Sequence, residues 1–354
     1  MGRVEARSRK IQGIGFHQQQ GTMAFSEGQS LQKGKYTIDR VLNSGRFGVS
    51  YLAHDGREQR FVIKTFRDDI WQQKSDAEKD KWNNRALREG GLLARFDHPY
   101  IVQFLQPFFE NGQVCLVMEY VAGTDLATLA EKKLPIEEAL IYIQQVGEAL
   151  KVVHAQKLVH RDVKPANIIL RAGKPEVVLI DFGLAGQSES TLTMNASTRQ
   201  AGFAAPELYY STAPVGSYTD VYSLGATLYA LLVGVAPPVA DQRRSDRLPA
   251  IAGVEKRIQG AIERAMALDW EDRLQTVDEF LDLLGVKTGD RVNPEPDPQE
   301  ILEHTRLQTR LGAQGVFWAV ITLIVTVVLT LYGDELKRWL RPPVSVPTPQ
   351  ESQE

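Results

Sequence analysis

Between His160 and Gly183 the chain gathers four chemically matched polar residues around one turn. His160-Arg161-Asp162-Val163-Lys164-Pro165-Ala166-Asn167 runs into the apolar Ile168-Ile169-Leu170. After a polar turn, Val177-Val178-Leu179-Ile180 runs into Asp181-Phe182-Gly183. The apolar runs read as two short strands with oxygen-bearing residues at their edges. Asp162, Asn167 and Asp181 are donors of the kind that hold a hard cation such as Mg²⁺. Lys164 adds a fixed positive charge two residues after Asp162. Such a set suits phosphoryl transfer, in which catalysis is mostly positioning and charge stabilisation.

The stretch resembles the catalytic loop and the metal-binding Asp-Phe-Gly of eukaryotic-type protein kinases. Further motifs of that family stand in order from about residue 36 to 284. Tyr36–Leu42 and Val49–Ala53 read as strands around Asn43-Ser44-Gly45-Arg46-Phe47-Gly48. Glycines there let a backbone close over phosphates and offer them N–H groups. The loop is similar to the kinase glycine-rich loop, with Asn43 in place of its first glycine and Ser50 in place of its valine above the adenine. Phe61-Val62-Ile63-Lys64 resembles the family's Val-Ala-Ile-Lys, with Val62 bulkier than the usual alanine. Ser75 to Phe96 reads as a helix, and by resemblance its Glu89 pairs with Lys64. Gly90 and Gly91 follow Glu89 at once, and each costs a helix about 1 kcal/mol relative to alanine. We therefore expect a loosely held helix and an easily broken Lys64–Glu89 contact.

Val114 to Val121 reads as a strand. By resemblance Met118 lines the back of an adenine pocket, and the backbone of Glu119 and Val121 bonds the base. Pro135 suits a first helical turn. Leu140, Ile143, Val146, Leu150 and Val153 recur at helical spacing and make a core face. Residues 184–204 are rich in Ser and Thr and end in Ala205-Pro206-Glu207, which resembles the close of the kinase activation segment. Arg199-Gln200-Ala201 stands where Ser/Thr kinases usually show Gly-Thr-Pro. By the same resemblance Asp220 anchors the catalytic-loop backbone and Arg273 pairs with Glu207.

The rest of the chain bounds what such a domain can do. Net charge over the 354 residues is −3, which gives no footing for broad nucleic-acid binding. Cys115 is the only cysteine, so no intrachain disulfide forms, and its apolar setting suits a small buried residue. Residues 1–34 lack an apolar segment, so we expect no signal peptide and a disordered extension, with Met1 or Met23 as the start. Residues 286–311 read as a proline-bearing linker. From Leu311 to Gly333 there is no charged residue. Residues 312–332 reach the roughly 20 apolar residues that a membrane-crossing helix needs, and Trp318 and Tyr332 stand near its ends. Lys and Arg flank both sides, so ATP use, not charge, sets the kinase domain in the cytoplasm and the tail 333–354 across the bilayer.

The expected fold class is α+β: a two-lobed protein-kinase fold with a mainly β N-lobe (35–121) and a mainly α C-lobe (122–285), plus one transmembrane helix. The resemblance implies a membrane-anchored protein Ser/Thr kinase of the bacterial eukaryotic-like type. Its cofactors are ATP and Mg²⁺, with Mn²⁺ able to substitute. Asp162, Lys164 and Asn167 are its catalytic residues, and Asn167 and Asp181 its metal ligands. Nucleotide contacts fall on Leu42, Asn43, Ser44, Gly45, Arg46, Phe47, Gly48, Val49, Ser50, Val62, Lys64, Glu89, Met118, Glu119, Val121 and Ile169. Arg161 beside Asp162 implies control by phosphorylation of Thr193, Ser197 or Thr198. A homodimer for trans-autophosphorylation stays open, and the apolar segment carries no Gly-x-x-x-Gly. Two rivals remain. A pseudokinase scaffold draws support from Asn43, Ser50, Val62 and Gln200. A small-molecule phosphotransferase shares the fold, yet such enzymes lack His-Arg-Asp-x-Lys and the Ala-Pro-Glu segment.

Overall fold

The computed structural model describes residues 23–45, 48–130, 133–182, 202–209, 214–243, 245 and 247–286. The chain divides into two compact units, Met1–Thr288 and Gly289–Glu354. The described residues all belong to the first. The expected linker, membrane helix and tail lie outside the described residues, as do Arg46, Phe47 and the Ser/Thr-rich stretch through Gln200. Among the described residues no helix is long and apolar enough to cross a membrane.

The N-terminal lobe is a six-stranded antiparallel sheet of order β1-β2-β3-β4-β6-β5. Its strands are β1 (Ser30–Leu31), β2 (Tyr36–Ser44), β3 (Gly48–Asp55), β4 (Arg60–Phe66), β5 (Phe104–Glu110) and β6 (Gln113–Glu119). Alternation with period two sends one face inward. Tyr36, Ile38, Val49, Tyr51, Ala53, Phe61 and Ile63 meet Phe108, Cys115 and Val117 in a shared core. Burial pushes the Cys115 thiol up to about 12, which keeps it protonated and inert. After β4 come α1 (Asp68–Trp71) and α2 (Asp76–Leu93).

The expected disorder of residues 1–34 fails for its second part. Phe25 and Leu31 are buried in the lobe core. The Phe25 N–H donates to the Tyr51 hydroxyl at 3.0 Å, and the Gln32 N–H donates to Glu110 at 2.8 Å. Each apolar side chain enters the core singly from a polar stretch, so no apolar run marks it. Two other boundaries also move: β6 ends at Glu119, short of Val121, and α2 ends at Leu93, short of Phe96.

The C-terminal lobe is organised on α5 (Ser217–Val233), whose residues from Tyr218 to Leu232 are all buried. A helix buried on every side belongs at the centre of a lobe, and its buried Thr219, Asp220, Ser223 and Thr227 all make hydrogen bonds. Around it pack α3 (Leu126–Ala130), α4 (Ile136–Ala155), α6 (Lys256–Ala265) and α7 (Val277–Leu284). Ile143, Val146, Leu150 and Val153 of α4 are fully buried, and Leu140 is half-buried at the edge of that face. A three-stranded sheet, β7 (Gly123–Asp125), β8 (Ile168–Arg171) and β9 (Val177–Leu179), lies where the lobes meet. The Val102 N–H donates to Leu179 O at 3.0 Å and the Leu179 N–H to Tyr100 O at 2.9 Å, so β9 is tied to the chain leading into β5.

Leu31→Ala removes a fully buried side chain from the segment that joins the sheet, and should cost roughly 2–5 kcal/mol of stability. Urea unfolding of the variant reads this, and an unchanged midpoint would mean that the segment contributes nothing to the lobe.

Candidate active site

Lys64 lies on β4, opposite Ser50 of β3. Its Nζ is 2.6 Å from Asp181 Oδ1 and 3.3 Å from Glu89 Oε1. Burial works against the charge on Lys64, yet Asp181 and Glu89 outweigh it and raise the pKa above its ordinary value. The ammonium is therefore fixed in the charged form where β4, α2 and the end of β9 converge.

The helix that carries Glu89 is not loosely held. Gly90 is buried, and a Cβ placed on it would lie 2.8 Å from Phe104 Cζ. The glycine is what lets α2 approach β5 and β6 this closely. Gly91 faces open space and the helix runs on through it. At the other end Glu78 accepts from the Ser75 N–H at 3.0 Å and the Ser75 hydroxyl at 2.9 Å, closing a capping arrangement. In mid-helix Asn83 donates to Gly112 O at 2.8 Å and accepts the Val114 N–H at 2.9 Å. Phe66 stacks on Trp71 and meets Trp82, with ring centroids 5.5 and 5.2 Å apart. The glycine pair suggested weakness because propensity says nothing of what the helix packs on.

The catalytic-loop stretch is suspended from α5. Asp220 is fully buried and accepts the N–H groups of His160 and Arg161, each at 2.8 Å, and its Oδ2 is also 2.8 Å from His154 Nε2. Burial pushes the Asp220 carboxyl up, but His154, His160 and the Arg161 amide bring it below its ordinary value. His160 is buried edge-on to Phe182, centroids 4.5 Å apart, and burial lowers its pKa. Arg161 and Asp181 both adopt positive φ, 68° and 62°, a backbone state unusual for non-glycine residues and frequent at functional sites.

Within this frame Asp162 is bracketed. Lys164 Nζ is 2.8 Å from both of its carboxylate oxygens. The Asn167 amide donates to Asp162 O and Oδ2, each at 2.8 Å. Both amide hydrogens of Asn167 are thereby spent, which leaves Oδ1 as the atom it can offer to a cation. A carbonyl-type oxygen from Asn167 and a carboxylate from Asp181 fit Mg²⁺, which binds through one or two carboxylates and completes its shell with water and phosphate. Among the described residues no group of three or more His, Cys, Asp or Glu is placed to hold a metal alone.

The expected nucleotide contacts are distributed around the same cleft. Val62 pairs with both Leu52 and Met118, and Ser50 with Lys64, so these residues share the sheet face opposite the lobe core. Leu52 was not foreseen there. Val49 points the other way, into the core, so only its main chain faces the loop. Leu42 is half-buried, and Asn43, Ser44 and Gly45 are exposed. The Gly45 N–H donates to Gly48 O at 2.9 Å, closing the turn, and Arg67 reaches Gly45 O at 3.3 Å. Val121 is buried and Ile169 half-buried on the C-lobe side. The Glu119 N–H donates to Gln103 O at 2.9 Å. Its carboxylate lies 3.3 Å from Arg171 of β8. Arg171, Arg67, Asn83 and His154 escaped sequence reading, since each reaches an element distant in sequence.

Below the cleft, Arg273 donates to Glu207 at 2.7 and 3.1 Å, to Ala267 O at 3.0 Å and to Tyr218 O at 3.2 Å, while Thr219 donates to Glu207 at 2.8 Å. The pair is buried and its hydrogen bonds are made, the condition under which a buried ion pair is tolerable.

A conserved-family model for the protein kinase domain matches residues 36–305. The chain belongs to the protein kinase family. The Ser/Thr-protein kinase PknF of Mycobacterium tuberculosis is 32% identical over 295 residues, 77% of this chain and 60% of PknF. The Ser/Thr-protein kinase PknI of Mycobacterium tuberculosis is 31% identical over 266 residues, 72% of this chain and 42% of PknI. The crystal structure of the PknI kinase domain superposes with a TM-score of 0.58 at 29% identity, covering 74% of this chain and 99% of that domain. The chain thus spans 60% of PknF and 42% of PknI, and nearly all of the solved kinase domain.

Gly90→Ala should cost about 1–3 kcal/mol through overpacking against Phe104 and weaken ATP binding by displacing Glu89. Thermal melting and nucleotide titration check the pair of effects, and unchanged values in both would show that the close approach is unimportant. Arg273→Ala strands the buried Glu207 carboxylate and should cost roughly 3–5 kcal/mol in chemical denaturation.

Proposed function

We propose that this chain transfers the γ-phosphoryl group of ATP to Ser or Thr hydroxyls of proteins. The supporting observation is the joint placement of Lys64, Glu89 and Asp181 with Asp162, Lys164 and Asn167. Lys64 holds the α- and β-phosphates, and Glu89 keeps it from swinging away. The main chain of residues 42–50 covers the phosphates, while Val62, Met118, Val121 and Ile169 enclose the base. Asn167 and Asp181 hold Mg²⁺, which supplies charge neutralisation on the phosphates when bound. Asp162 orients the acceptor hydroxyl and takes its proton as the oxygen bonds to the γ-phosphorus and the bond to ADP breaks. Lys164 already faces Asp162 and lies where charge grows on the transferred group.

Every group that handles phosphate, metal or proton is retained, and the relatives are named as Ser/Thr-protein kinases. Both facts favour an active enzyme over the pseudokinase scaffold. The departures at Asn43, Ser50, Val62 and Gln200 then adjust the fit of the nucleotide and of the loop. We further propose a single membrane anchor at 312–332 with the kinase domain cytoplasmic, supported by the uncharged run from Leu311 to Gly333. Autophosphorylation at Thr193, Ser197 or Thr198, in trans between two copies, would give Arg161 a phosphate to bind.

Asp162→Asn removes the proton acceptor and keeps the shape. With [γ-³²P]ATP and Mg²⁺, it should lower phosphate transfer to protein by about 10²–10⁴-fold while nucleotide affinity changes little. Equal transfer by wild type and variant would refute the enzymatic reading.

A further inference from the structure

We propose that the hollow beside Asp162 selects acceptor segments with an apolar side chain, and not a basic one, near the Ser or Thr to be phosphorylated. The proposal deepens the kinase reading above and rests on it. The hollow encloses about 400 Å³ between α3, the catalytic loop, the chain at Phe203–Ala204 and the end of α5. Asp162 and Lys164 form part of its lining, so a segment that brings a hydroxyl to Asp162 lies across it. Opposite them stand Ala127 and Ala130 of α3, with Ala230, Val235 and Ala236 at and beyond the end of α5.

Two features of this lining set its chemistry. The first is small, mostly apolar side chains, which leave room, and the Ser223 hydroxyl among them already donates to Thr219 O at 3.2 Å. Val235 is 63% exposed, one of few large apolar side chains so placed among the described residues. An apolar group docked there is favoured because it removes both surfaces from water. The second is charge. The lining holds two cations, Arg161 and Lys164, and a single carboxylate, Asp162. That carboxylate is already bonded by Lys164 and Asn167. A Lys or Arg in the incoming segment would find no second carboxylate among the described lining residues to pair with, so its charge gains nothing there while an apolar group does.

The walls are fixed in place. Gly202 adopts φ 75°, and a Cβ there would run into the Pro237 carbonyl, so the Gly202–Phe203 turn rests directly on the chain after α5. The Tyr209 hydroxyl donates to Ala204 O at 3.0 Å and holds the same turn from beneath.

The test uses the full chain with ATP, Mg²⁺ and a positional-scanning peptide library with Ser or Thr fixed at its centre. Aliphatic or aromatic residues beside the acceptor should raise kcat/KM by about tenfold or more over Lys or Arg. Val235→Glu and Ala127→Glu each place a carboxylate in the lining at positions with solvent access, and should reverse that order toward Arg by a similar factor. Thermal melting confirms that each variant is folded, and two sites guard against one misfolding. A basic or flat profile in the wild type, or a profile unmoved in both variants, overturns the proposal while the phosphorylated library leaves the kinase reading intact. No phosphate transfer to any peptide or to casein overturns the reading on which it rests.

Discussion

The rest of the structure depends on the charge cluster at Lys64. One ammonium meets a carboxylate from α2 and another from the turn after β9, at 3.3 and 2.6 Å. Three elements far apart in sequence are brought to one point there, and neither lobe holds the cluster alone. An isolated surface ion pair contributes little. Here the partners are partly shielded, and the value lies in position, because Lys64 marks where phosphates can be held and Asp181 where a cation can sit.

Holding that point costs specific supports on each side. In the N-lobe, α2 is pinned by Asn83, by the aromatic group of Phe66, Trp71 and Trp82, and by the close seat of Gly90 on Phe104. In the C-lobe, the buried α5 supplies one fully buried carboxylate, Asp220, which accepts two main-chain N–H groups of the catalytic loop and meets His154 of α4. The buried Arg273–Glu207 pair then joins the end of the activation segment to the same lobe. These contacts restrict backbone freedom around Asp162, and catalysis by positioning needs such restriction. The positive φ at Arg161 and Asp181 shows where the chain is bent out of its ordinary states to achieve it.

Much of the site was legible because the chemistry confines it to short stretches. Asp162, Lys164, Asn167 and Asp181 fall within a span of twenty residues whose types and spacing have few other uses. Lys64, Glu89, Asp220, Glu207 and Arg273 followed from resemblance, and their pairings are present in the structure. What escaped has a common cause. Phe25 and Leu31 each insert one side chain from a polar stretch, so no apolar periodicity marks residues 23–34. Gly90 shows its use only beside Phe104, a partner that helix propensity does not know about. Arg171 with Glu119, Asn83 with Gly112 and Val114, and His154 with Asp220 meet across long sequence separations, and no local pattern encodes them.

The proposed phosphoryl transfer depends on the seat of one ammonium between Glu89 and Asp181. Lys64→Arg keeps the charge but not the shape, since a planar guanidinium cannot occupy the seat of a compact ammonium. Steady-state phosphate transfer from ATP, measured beside a melting curve, tests it most directly. The variant should stay folded, with transfer lowered by about 10²-fold or more. A folded variant with wild-type transfer would contradict it.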